Sequence, residues 1–522
     1  MKGYHITRNH IFDDNSTGTY KHEFLGSLEY LTACEKDTSI LYDLDASVAA
    51  LLSQINITKQ EATKLNNTGR LYIAPFTIKY YPSRLFCIDR GFGAEHHFIN
   101  FYDAKQYNGS VLTDEDTPEY CKKKAELARI TGDLVTSALL KLDLPIYKLT
   151  SPIALYLKGR GKDLDLPVYD DIPPAVDEFA YQCIKGNWLE AYACGYWEKA
   201  YDYDINGAYA SEMAKLPDIR RGKWIDSKEI PDYAMLGFAK CKIETYNVLH
   251  PFITKTDNGN CTRNGEWEDF YTLQAIKYAR KYAGHNLEIL EGHWWIPTSP
   301  LRYPMKEEME YLYNLRQTTD NPYVKKILHR IMAGLWGKMS ELHKNKGFGK
   351  LFNSVYAAAV ESNVRIKVAK ACCNNAVMPL HIAVDGIITN KPLEVELSDK
   401  LGGWRLSHTG NCIVVNSGVV AMEGKNGKEE FSLRYDWLKE QIDNEPDARE
   451  YVMSKFAPVK LAKALATDRL GDLGKVEEVK RTVYITADNK RLWKQQPKTG
   501  KELLGMQEFG YPLSTSLGFK GE

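Results

Sequence analysis

The sequence predicts an α+β protein built from several domains. Its 522 residues are enough for roughly two to four domains. A hydrophobic content of 44% and a charged content of 26% are ordinary for a globular chain. Short β-prone runs alternate with stretches of helical periodicity, and no internal repeat or low-complexity tract separates them. This mixture predicts an α+β fold.

Composition also excludes several classes of protein. No apolar run approaches the roughly 20 residues of a membrane span, and the amino terminus lacks the apolar core of a signal peptide. The ten cysteines are scattered without a Cys-x-x-Cys pair, as is typical of reduced thiols. We therefore expect a cytoplasmic protein with no membrane partner. The net charge of zero argues against a protein that coats nucleic acid, but it allows an enzyme with a local basic channel.

The amino-terminal part mixes short strands and helices. Helical periodicity covers residues 47–55 and 119–142, the second ending before Pro145, and residues 70–81 are rich in strand formers. A stretch rich in proline and aspartate, residues 164–174, predicts a domain boundary.

Two short segments carry the strongest chemical signal. YDYDINGAY at residues 201–209 and HIAVDGI at 381–387 each place an aspartate at the end of an apolar, β-prone run: Asp204 and Asp385. Carboxylates on neighbouring strands can hold two divalent cations about 3.5–4 Å apart, the arrangement used for in-line phosphoryl transfer. Each aspartate also has an ordinary interpretation. Asp204 would cap a following helix, and Asp385 with Gly386 would form a two-residue hairpin loop.

A helical pair separates the two aspartates in sequence. Helices are predicted for residues 304–317 and 322–339, and the short turn between them requires antiparallel packing. Cations of the second helix, and one of the first, are candidates for binding a triphosphate: Lys325, Lys326, His329, Arg330 and Arg316. The alternative is an amphipathic core helix with a solvated basic edge. Residues 354–374 form a further predicted helix, and helices are also predicted at 433–443, 447–456 and 459–466.

These segments resemble the motifs of family B DNA polymerases. YDYDINGAYASEM is similar to the first palm motif, KILHRIMAGLWGK to the fingers motif, and HIAVDGI to the palm hairpin. IKGNWLE at residues 184–190 resembles the segment that contacts template between the exonuclease and polymerase domains. The motifs follow the order of the family over residues 181–404, and they are closest to the protein-primed branch of phages and plasmids.

The resemblance implies a right-hand polymerase with palm, fingers and thumb, preceded by an RNase H-like exonuclease-type domain. The implied boundaries are a degenerate exonuclease-like domain at residues 1–150, a linker and template-contacting segment at 151–195, palm at 196–222, a palm insertion at 223–300, fingers at 301–340, palm again at 341–404, and thumb with the carboxy-terminal region at 405–522.

Roles transfer residue by residue from the family. Asp204 and Asp385 become the catalytic aspartates that bind two Mg²⁺ (or Mn²⁺) ions. Tyr209 becomes the tyrosine beneath the sugar that excludes a 2′-hydroxyl, and the backbone at Ile205 lies near the triphosphate. Contacts to template and DNA are implied for four residues: Lys185, Gly186, Trp336 and Lys338.

The sequence also departs from the family pattern. Ala383 replaces the first aspartate of the hairpin motif, His329 the fingers lysine, and Trp336 the fingers tyrosine. No Lys-x-Tyr that would grip a primer occurs at residues 414–421. Primer handling is therefore expected to differ.

The amino-terminal domain lacks most of the acidic residues of a 3′–5′ exonuclease. Asp13 and Asn15 are the relic of its first motif, and Lys124 stands where the last metal-binding aspartate belongs. Asp43 and Asp45 form an alternative Asp-x-Asp, which is better explained as a helix cap. A lysine in a two-metal site repels the cations. We expect a domain that does not proofread.

The resulting expectation is a template-directed DNA polymerase that replicates a phage or mobile-element genome. Its partners would be primer–template DNA, dNTPs and a terminal protein or replication accessory protein, and a phage-encoded chain would act in the host-cell cytoplasm. Two alternatives remain: an inactive homologue that binds DNA or assists assembly, and a polymerase with template- or primer-independent activity. The short connection between His329 and Asp385 also predicts low intrinsic processivity, or processivity that depends on a partner.

Overall fold

The structure is a computed structural model. It describes residues 1–14, 24–33, 38–91, 97–107, 117–144, 152–256, 259–282, 284–343, 347–425 and 433–514. Asn15 and Pro145, named above, lie outside the described residues. No helix in the described part of the chain is long and apolar enough to cross a membrane.

The amino-terminal domain is built on one mixed sheet of seven strands. Its strands are β1 (Lys2–Ile6), β2 (Ile11–Asp13), β3 (Thr38–Leu41), β4 (Arg70–Ile73), β5 (Phe76–Tyr81), β6 (Leu85–Arg90) and β7 (His97–Asp103), and its helices are α1 (Phe24–Thr32), α2 (Leu44–Leu52), α3 (Lys59–Thr68) and α4 (Pro118–Lys141). The strand order is β2-β1-β3-β7-β6-β5-β4, with β1, β3 and β7 parallel. Helix α4 crosses β1 so closely that a Cβ at Gly3 would lie 2.2 Å from the Ala125 carbonyl oxygen.

A connecting region leads into the palm. It comprises α5 (Pro152–Lys158), α6 (Pro174–Gln182), β8 (Leu189–Ala191), β9 (Ala193–Ile205) and α7 (Ala208–Met213). The insertion that follows comprises β10 (Gly222–Asp226), β11 (Leu236–Thr245), β12 (Thr254–Thr256), β13 (Gly259–Cys261), β14 (Arg263–Thr272), α8 (Leu273–Lys281) and β15 (His285–Pro297). Strands β10, β15, β11 and β14 form consecutive antiparallel neighbours in a second sheet.

The two fingers helices agree with the sequence prediction. They are α9 (Lys306–Thr318) and α10 (Pro322–Met339). Asn321 caps α10, because its side-chain oxygen accepts the backbone N–H groups of Tyr323 and Val324 at 2.9 and 3.1 Å. Proline at the first helical position costs no hydrogen bond, so the sequence locates this helix start closely.

The second half of the palm follows the fingers. It contains β16 (Leu342–His343), β17 (Gly347–Phe348), α11 (Ser354–Asn374), β18 (Pro379–Ala383), β19 (Gly386–Thr389), β20 (Trp404–Asn416) and β21 (Val419–Met422). The carboxy-terminal region contains α12 (Tyr435–Asn444), β22 (Glu450–Pro458), α13 (Leu461–Ala466), β23 (Val476–Tyr484), β24 (Arg491–Leu492), α14 (Gly500–Leu504), β25 (Gln507–Phe509) and β26 (Tyr511–Ser514).

The palm sheet is antiparallel, with β9 near its middle. Its order is β21-β20-β9-β19-β18-β8, and β25 also pairs with β9. Strand β20 pairs with β9 from Val414 to Trp404, so residues beyond the expected palm boundary at 404 belong to the palm sheet. The sequence placed this boundary directly after the last recognisable motif, whereas the pairing of β20 with β9 continues beyond residue 404.

One predicted helix is wrong. Residues 447–456 include β22, whose burial alternates along Glu450–Pro458 and which pairs antiparallel with β23. Tyr451 and Met453 are buried on one face, while Val452 is 45% exposed on the other. This period of two is the signature of a half-buried strand.

Candidate active site

The palm sheet brings Asp204 and Asp385 together. Asp204 lies near the end of β9 and is paired in register with Gly386, the first residue of β19. Asp385 precedes Gly386 in the turn between β18 and β19, so the two carboxylates project from neighbouring strands. The cap of α7 is Gly207, which excludes the interpretation of Asp204 as a helix cap.

The hairpin turn differs by one residue from the sequence prediction. Ala383 pairs with Gly386, so the two-residue loop is Val384 and Asp385 rather than Asp385 and Gly386. Val384 has a φ of 61°, a left-handed conformation that is unfavourable for a β-branched residue. Its N–H donates to the Trp188 carbonyl at 2.8 Å, which helps to fix the loop that carries Asp385. Local strain of this kind is concentrated at functional sites.

The two carboxylates interact electrostatically. Burial raises the pKa of Asp385 to about 6, and the neighbouring Asp204 adds to the shift. Two adjacent negative charges disfavour each other's ionisation and favour a bound cation. The oxygen donors suit Mg²⁺, which commonly takes one or two protein carboxylates and completes its shell with water and substrate phosphate. Among the described residues no group of three or more His, Cys, Asp or Glu side chains encloses a metal position, so these two carboxylates would supply a partial shell.

Arg405 is a site residue that the sequence motifs do not reveal. It lies on β20 directly opposite Asp204 in the strand register, and its guanidinium forms an ion pair with the Asp204 carboxylate. Only knowledge of the strand register would have placed an arginine here, since residue 405 follows the last motif of the family pattern.

Arg316 of α9 also reaches this site. Burial lowers the pKa of Arg316, and the nearby positive charge of Arg405 lowers it further while Asp204 opposes the shift. The Arg316 guanidinium makes no hydrogen bond or ion pair with any residue that the structure describes. The sequence predicted this arginine as a phosphate ligand, and the structure places it close enough to Asp204 for their charges to interact.

Tyr209 and Trp336 join the palm to the fingers. Their ring centroids are 4.8 Å apart in an edge-to-face arrangement, and Trp336 Nε1 donates to the Ala357 carbonyl at 3.3 Å. Burial raises the pKa of Tyr209, with added effects from Glu361 and Asp385. Tyr209 therefore lies near Asp385, on the helix that follows Asp204. The Ile205 side chain is buried, so only its backbone is available at the site.

Two predicted phosphate-binding cations point elsewhere. Lys326 donates to the Tyr107 carbonyl and Arg330 to the Gln106 carbonyl, both in the amino-terminal domain. The Arg330 guanidinium also lies 4.9 Å from the centre of the Tyr107 ring. These two residues share a helix face that packs toward the amino-terminal domain, which corrects the expectation that they meet the triphosphate. Lys325 and His329 are exposed on α10.

The predicted template-contacting residues are largely engaged by the protein itself. The N–H groups of Lys185 and Gly186 donate to Glu361 Oε1 at 3.0 and 2.8 Å, and the Lys185 ammonium pairs with Asp269 at 2.5 Å. Lys338 pairs with Glu341 at 2.7 Å. The segment at 185–186 is thus anchored to α11 and to the insertion, and its lysine is half-buried in an ion pair.

The acidic residues that meet in the amino-terminal domain are Asp43, Asp45 and Asp103. Asp43 caps α2 as expected, accepting the Ala46 N–H at 3.0 Å. Burial raises the pKa of Asp103 to about 7, and the charge of Asp43 contributes. Burial alone would raise the pKa of Asp43 too, but Lys460 and Lys105 bring it below its ordinary value.

Two lysines form ion pairs with the carboxylates of Asp43 and Asp45. Lys105 Nζ is 3.2 Å from Asp43, and Lys460 Nζ is 3.5 Å from Asp43 and 3.6 Å from Asp45. The predicted relic Asp13 instead accepts a hydrogen bond from the Tyr30 hydroxyl. Lys124 is buried on α4, with its ammonium 6.0 Å from the centre of the Tyr42 ring.

Comparison with known proteins agrees with this geometry. The model of the family described as DNA polymerase type B, organellar and viral, matches residues 168–346. Phi29 DNA polymerase complexed with primer–template DNA and incoming nucleotide superposes with a TM-score of 0.60 at 14% identity, covering 91% of this chain and 96% of that chain. Phi29 DNA polymerase with primer–template DNA alone gives 0.60 at 14% identity, covering 93% and 99%. No curated protein matches the sequence.

The fold is therefore that of a right-hand family B DNA polymerase with an exonuclease-type domain. The predicted resemblance to family B DNA polymerases is confirmed, because the model of the organellar and viral type matches residues 168–346 and the fold is similar to that of Phi29 DNA polymerase.

Proposed function

We propose that the chain is a template-directed DNA polymerase that adds deoxynucleotides to a primer 3′ end by two-metal phosphoryl transfer. The observation that carries the proposal is that Asp204 on β9 lies beside the β18–β19 turn that carries Asp385, with Arg316 near Asp204. The similar Phi29 structure, which holds primer–template DNA and incoming nucleotide, supports the same substrates for this chain.

Asp204 and Asp385 would hold two Mg²⁺ (or Mn²⁺) ions, which supply activation of the 3′-hydroxyl and neutralise the charge of the departing pyrophosphate. Arg316 would add a positive charge that does not depend on the metal ions. Its guanidinium can bind a phosphate through two parallel hydrogen bonds. Arg405 pairs with Asp204 in the protein alone. A cation held by Asp204 would compete with that pair, which would leave the Arg405 guanidinium available to phosphate.

Tyr209 and Trp336 would shape the sugar site. Their edge-to-face contact holds the tyrosine ring against the fingers, next to Asp385. A ring fixed beneath the sugar leaves no space for a 2′-hydroxyl, which selects deoxynucleotides.

The amino-terminal domain would hold template without proofreading. Lys105 and Lys460 place positive charge beside Asp43 and Asp45, and this charge opposes the binding of metal ions by these carboxylates. A phage or mobile-element genome is the proposed template, with a terminal protein or accessory protein as the proposed partner in priming or processivity.

A catalytically inactive homologue is the second candidate. It is favoured by the Arg405–Asp204 ion pair, which occupies one carboxylate, and by Ala383 in the hairpin. Such a protein would bind DNA without incorporating nucleotides. A polymerase with template- or primer-independent activity is the third, favoured by the altered fingers residues His329 and Trp336.

Extension of a labelled primer, with and without template, separates the three. The proposal expects incorporation by the wild type only with template, its loss in Asp204→Ala, and wild-type incorporation by Asp232→Ala, a control at an exposed aspartate of the insertion. DNA binding without incorporation supports the inactive homologue. Incorporation without template supports the third candidate.

A further inference from the structure

A cavity lies on the face of the palm sheet opposite the catalytic carboxylates. Its volume is about 620 Å³, and it opens between α7, α11, the start of β11 and the start of α8. This volume is in the range of small-molecule sites. Residues of the palm and of the insertion contribute to the same wall.

The cavity and the catalytic carboxylates lie on opposite faces of the palm sheet. Trp404, which lines the cavity, pairs with Ile205, whereas its neighbour Arg405 pairs with Asp204. Successive residues of a strand point to opposite faces. Residues 404 and 405 therefore connect the two sites through adjacent positions of one strand.

The wall of the cavity carries three lysines and three glutamates. Lys215, Lys367 and Lys370 line it, and Glu212 is the buried carboxylate among them. Glu212 is already engaged, by Lys215 at 2.6 Å and by the Asn363 amide at 3.2 Å. Glu394 and Glu396 also line it, but both are exposed.

Two of the lysines that line the cavity form no ion pair with the residues that the structure describes. Lys370 forms no hydrogen bond or ion pair with the part of the chain that the structure describes. Lys367 donates to the Gly402 carbonyl and has no carboxylate in contact. Burial lowers the pKa of both lysines, and neighbouring lysines lower it further: Lys215 beside Lys367, and Lys281 beside Lys370. The charge of Glu212 opposes the shift in both lysines. Neither ammonium forms an ion pair in the described part of the chain, and such partly buried ammonium groups favour an anionic ligand.

The other residues that line the cavity suit the base and sugar of a nucleotide. Phe238, Ile366 and the Trp404 ring supply apolar surface, while Gln274 and Asn374 supply amide groups. A phosphate alone would leave most of 620 Å³ unfilled. A flat, partly apolar group joined to phosphates uses both parts of the wall.

We infer that this cavity binds a phosphate-bearing small molecule of nucleotide size, with its phosphates on Lys367 and Lys370. The site goes beyond the proposed polymerase function, since it shares no residue with the catalytic pair. A ligand that draws Lys367 from the Gly402 carbonyl loosens the segment that leads into Arg405, so occupancy of the cavity is linked to the state of Asp204.

The test is calorimetric titration of the full chain with dATP and, separately, with inorganic pyrophosphate, in EDTA. EDTA removes metal-dependent binding at the catalytic site, and Arg316→Ala controls for nucleotide that binds there through the Arg316 guanidinium. We expect binding by the wild type and equally by Asp204→Ala. Lys370→Ala should weaken it at least tenfold, whereas Lys370→Arg, which keeps the charge, should retain it.

Lys223→Ala, at an exposed lysine of β10, is the control for loss of surface charge and should bind as the wild type does. Trp404→Phe should remove any quenching of tryptophan fluorescence by dATP, a readout independent of heat. Melting temperatures establish that each variant is folded. Tighter binding of dATP identifies a nucleotide as ligand, and tighter binding of pyrophosphate identifies the inorganic anion, and both support an anion site.

The inference is overturned if neither compound binds. It is equally overturned if binding survives in Lys370→Ala but is lost in Arg316→Ala, since the ligand would then lie in the catalytic site. Failure here would leave the proposed polymerase activity intact, because primer extension does not depend on the lysines of the cavity.

Discussion

At the residue scale, the sequence locates the two candidate catalytic aspartates. It does not locate Arg405, the arginine that pairs with one of them. Asp204 and Asp385 lie in strings that resemble known motifs, whereas Arg405 acquires its position from the register of β20 against β9. Register depends on long-range pairing that a local pattern does not encode. The Arg405–Asp204 pair is half-exposed, so it contributes about 1 kcal/mol or less.

Replacement of Arg405 should therefore strengthen metal binding. Arg405→Ala removes the cation that competes for Asp204, and we expect Mn²⁺ to bind about two- to fivefold more tightly, as measured by electron paramagnetic resonance. Arg405→Lys, which keeps a positive charge, should remain close to the wild type. An unchanged Mn²⁺ affinity in Arg405→Ala would show that the pair does not compete with metal.

Asp103 makes a separate prediction about pH. An unfolded aspartate has a pKa of about 3.9, and burial with the charge of Asp43 raises the pKa of native Asp103 to about 7. Between these pH values the native state keeps a proton that the unfolded state has lost. This group's contribution to stability is therefore greatest below pH ~4 and falls as the pH rises toward 7, by at most about 1.4 kcal/mol per pH unit.

Asp103→Asn should flatten this dependence. The asparagine keeps an oxygen for the N–H groups of Lys105 and Leu44, which Asp103 accepts at 3.1 and 3.4 Å. Urea unfolding at pH 5 and pH 8 should show a smaller loss of stability in the variant than in the wild type. Equal losses in the two proteins would contradict the shifted pKa.

At the element scale, the fingers helices were predictable and their orientation was not. Proline at position 322 and the Asn321 cap define where α10 begins from local chemistry alone. Which face of α10 meets the palm depends on how the domains pack, so the sequence assigned Lys326 and Arg330 to the triphosphate although they contact residues 106 and 107. The strand at Glu450–Pro458 was missed, although it pairs with β23, the next strand along the chain.

Arg316 and Arg330, on the two fingers helices, should differ in their effect on the KM for dNTP. Arg316→Ala should raise the KM for dNTP at least tenfold, because its guanidinium lies near Asp204, has no side-chain partner among the described residues and is available to phosphate. Arg330→Ala should leave the KM for dNTP nearly unchanged and increase thermolysin cleavage between the amino-terminal domain and the fingers. Steady-state kinetics of both variants tests the assignment, and a larger KM effect from Arg330→Ala would reverse it.

At the scale of the whole molecule, the carboxy-terminal region closes onto the amino-terminal domain. Val459, Leu461, Ala464 and Leu473 belong to the same hydrophobic core as residues of β1, α2 and α3. Lys460 adds ion pairs to Asp43 and Asp45. The sequence predicted the order of the domains from its motifs, but contacts between the ends of the chain leave no local pattern.

Loss of this contact should shorten the products made in one encounter with DNA. Lys460→Ala weakens the docking of α13 on the amino-terminal domain, and we expect about a two- to fivefold lower processivity from an interaction of about 1 kcal/mol. Lys463→Ala is the matched control, since that lysine pairs with Glu477 within the carboxy-terminal region. Similar product lengths for Lys460→Ala and the wild type would show that the contact does not retain DNA.

The central claim is that Asp204 and Asp385 carry out metal-dependent nucleotide addition, and single-turnover incorporation of one dNTP on a primer–template tests it most directly. The account predicts measurable incorporation by the wild type in Mg²⁺ or Mn²⁺. It also predicts a fall of roughly 1,000-fold in Asp385→Asn, equivalent to about 4 kcal/mol. An Asp385→Asn protein that incorporates at the wild-type rate, or a wild type that binds DNA without incorporating, would contradict it.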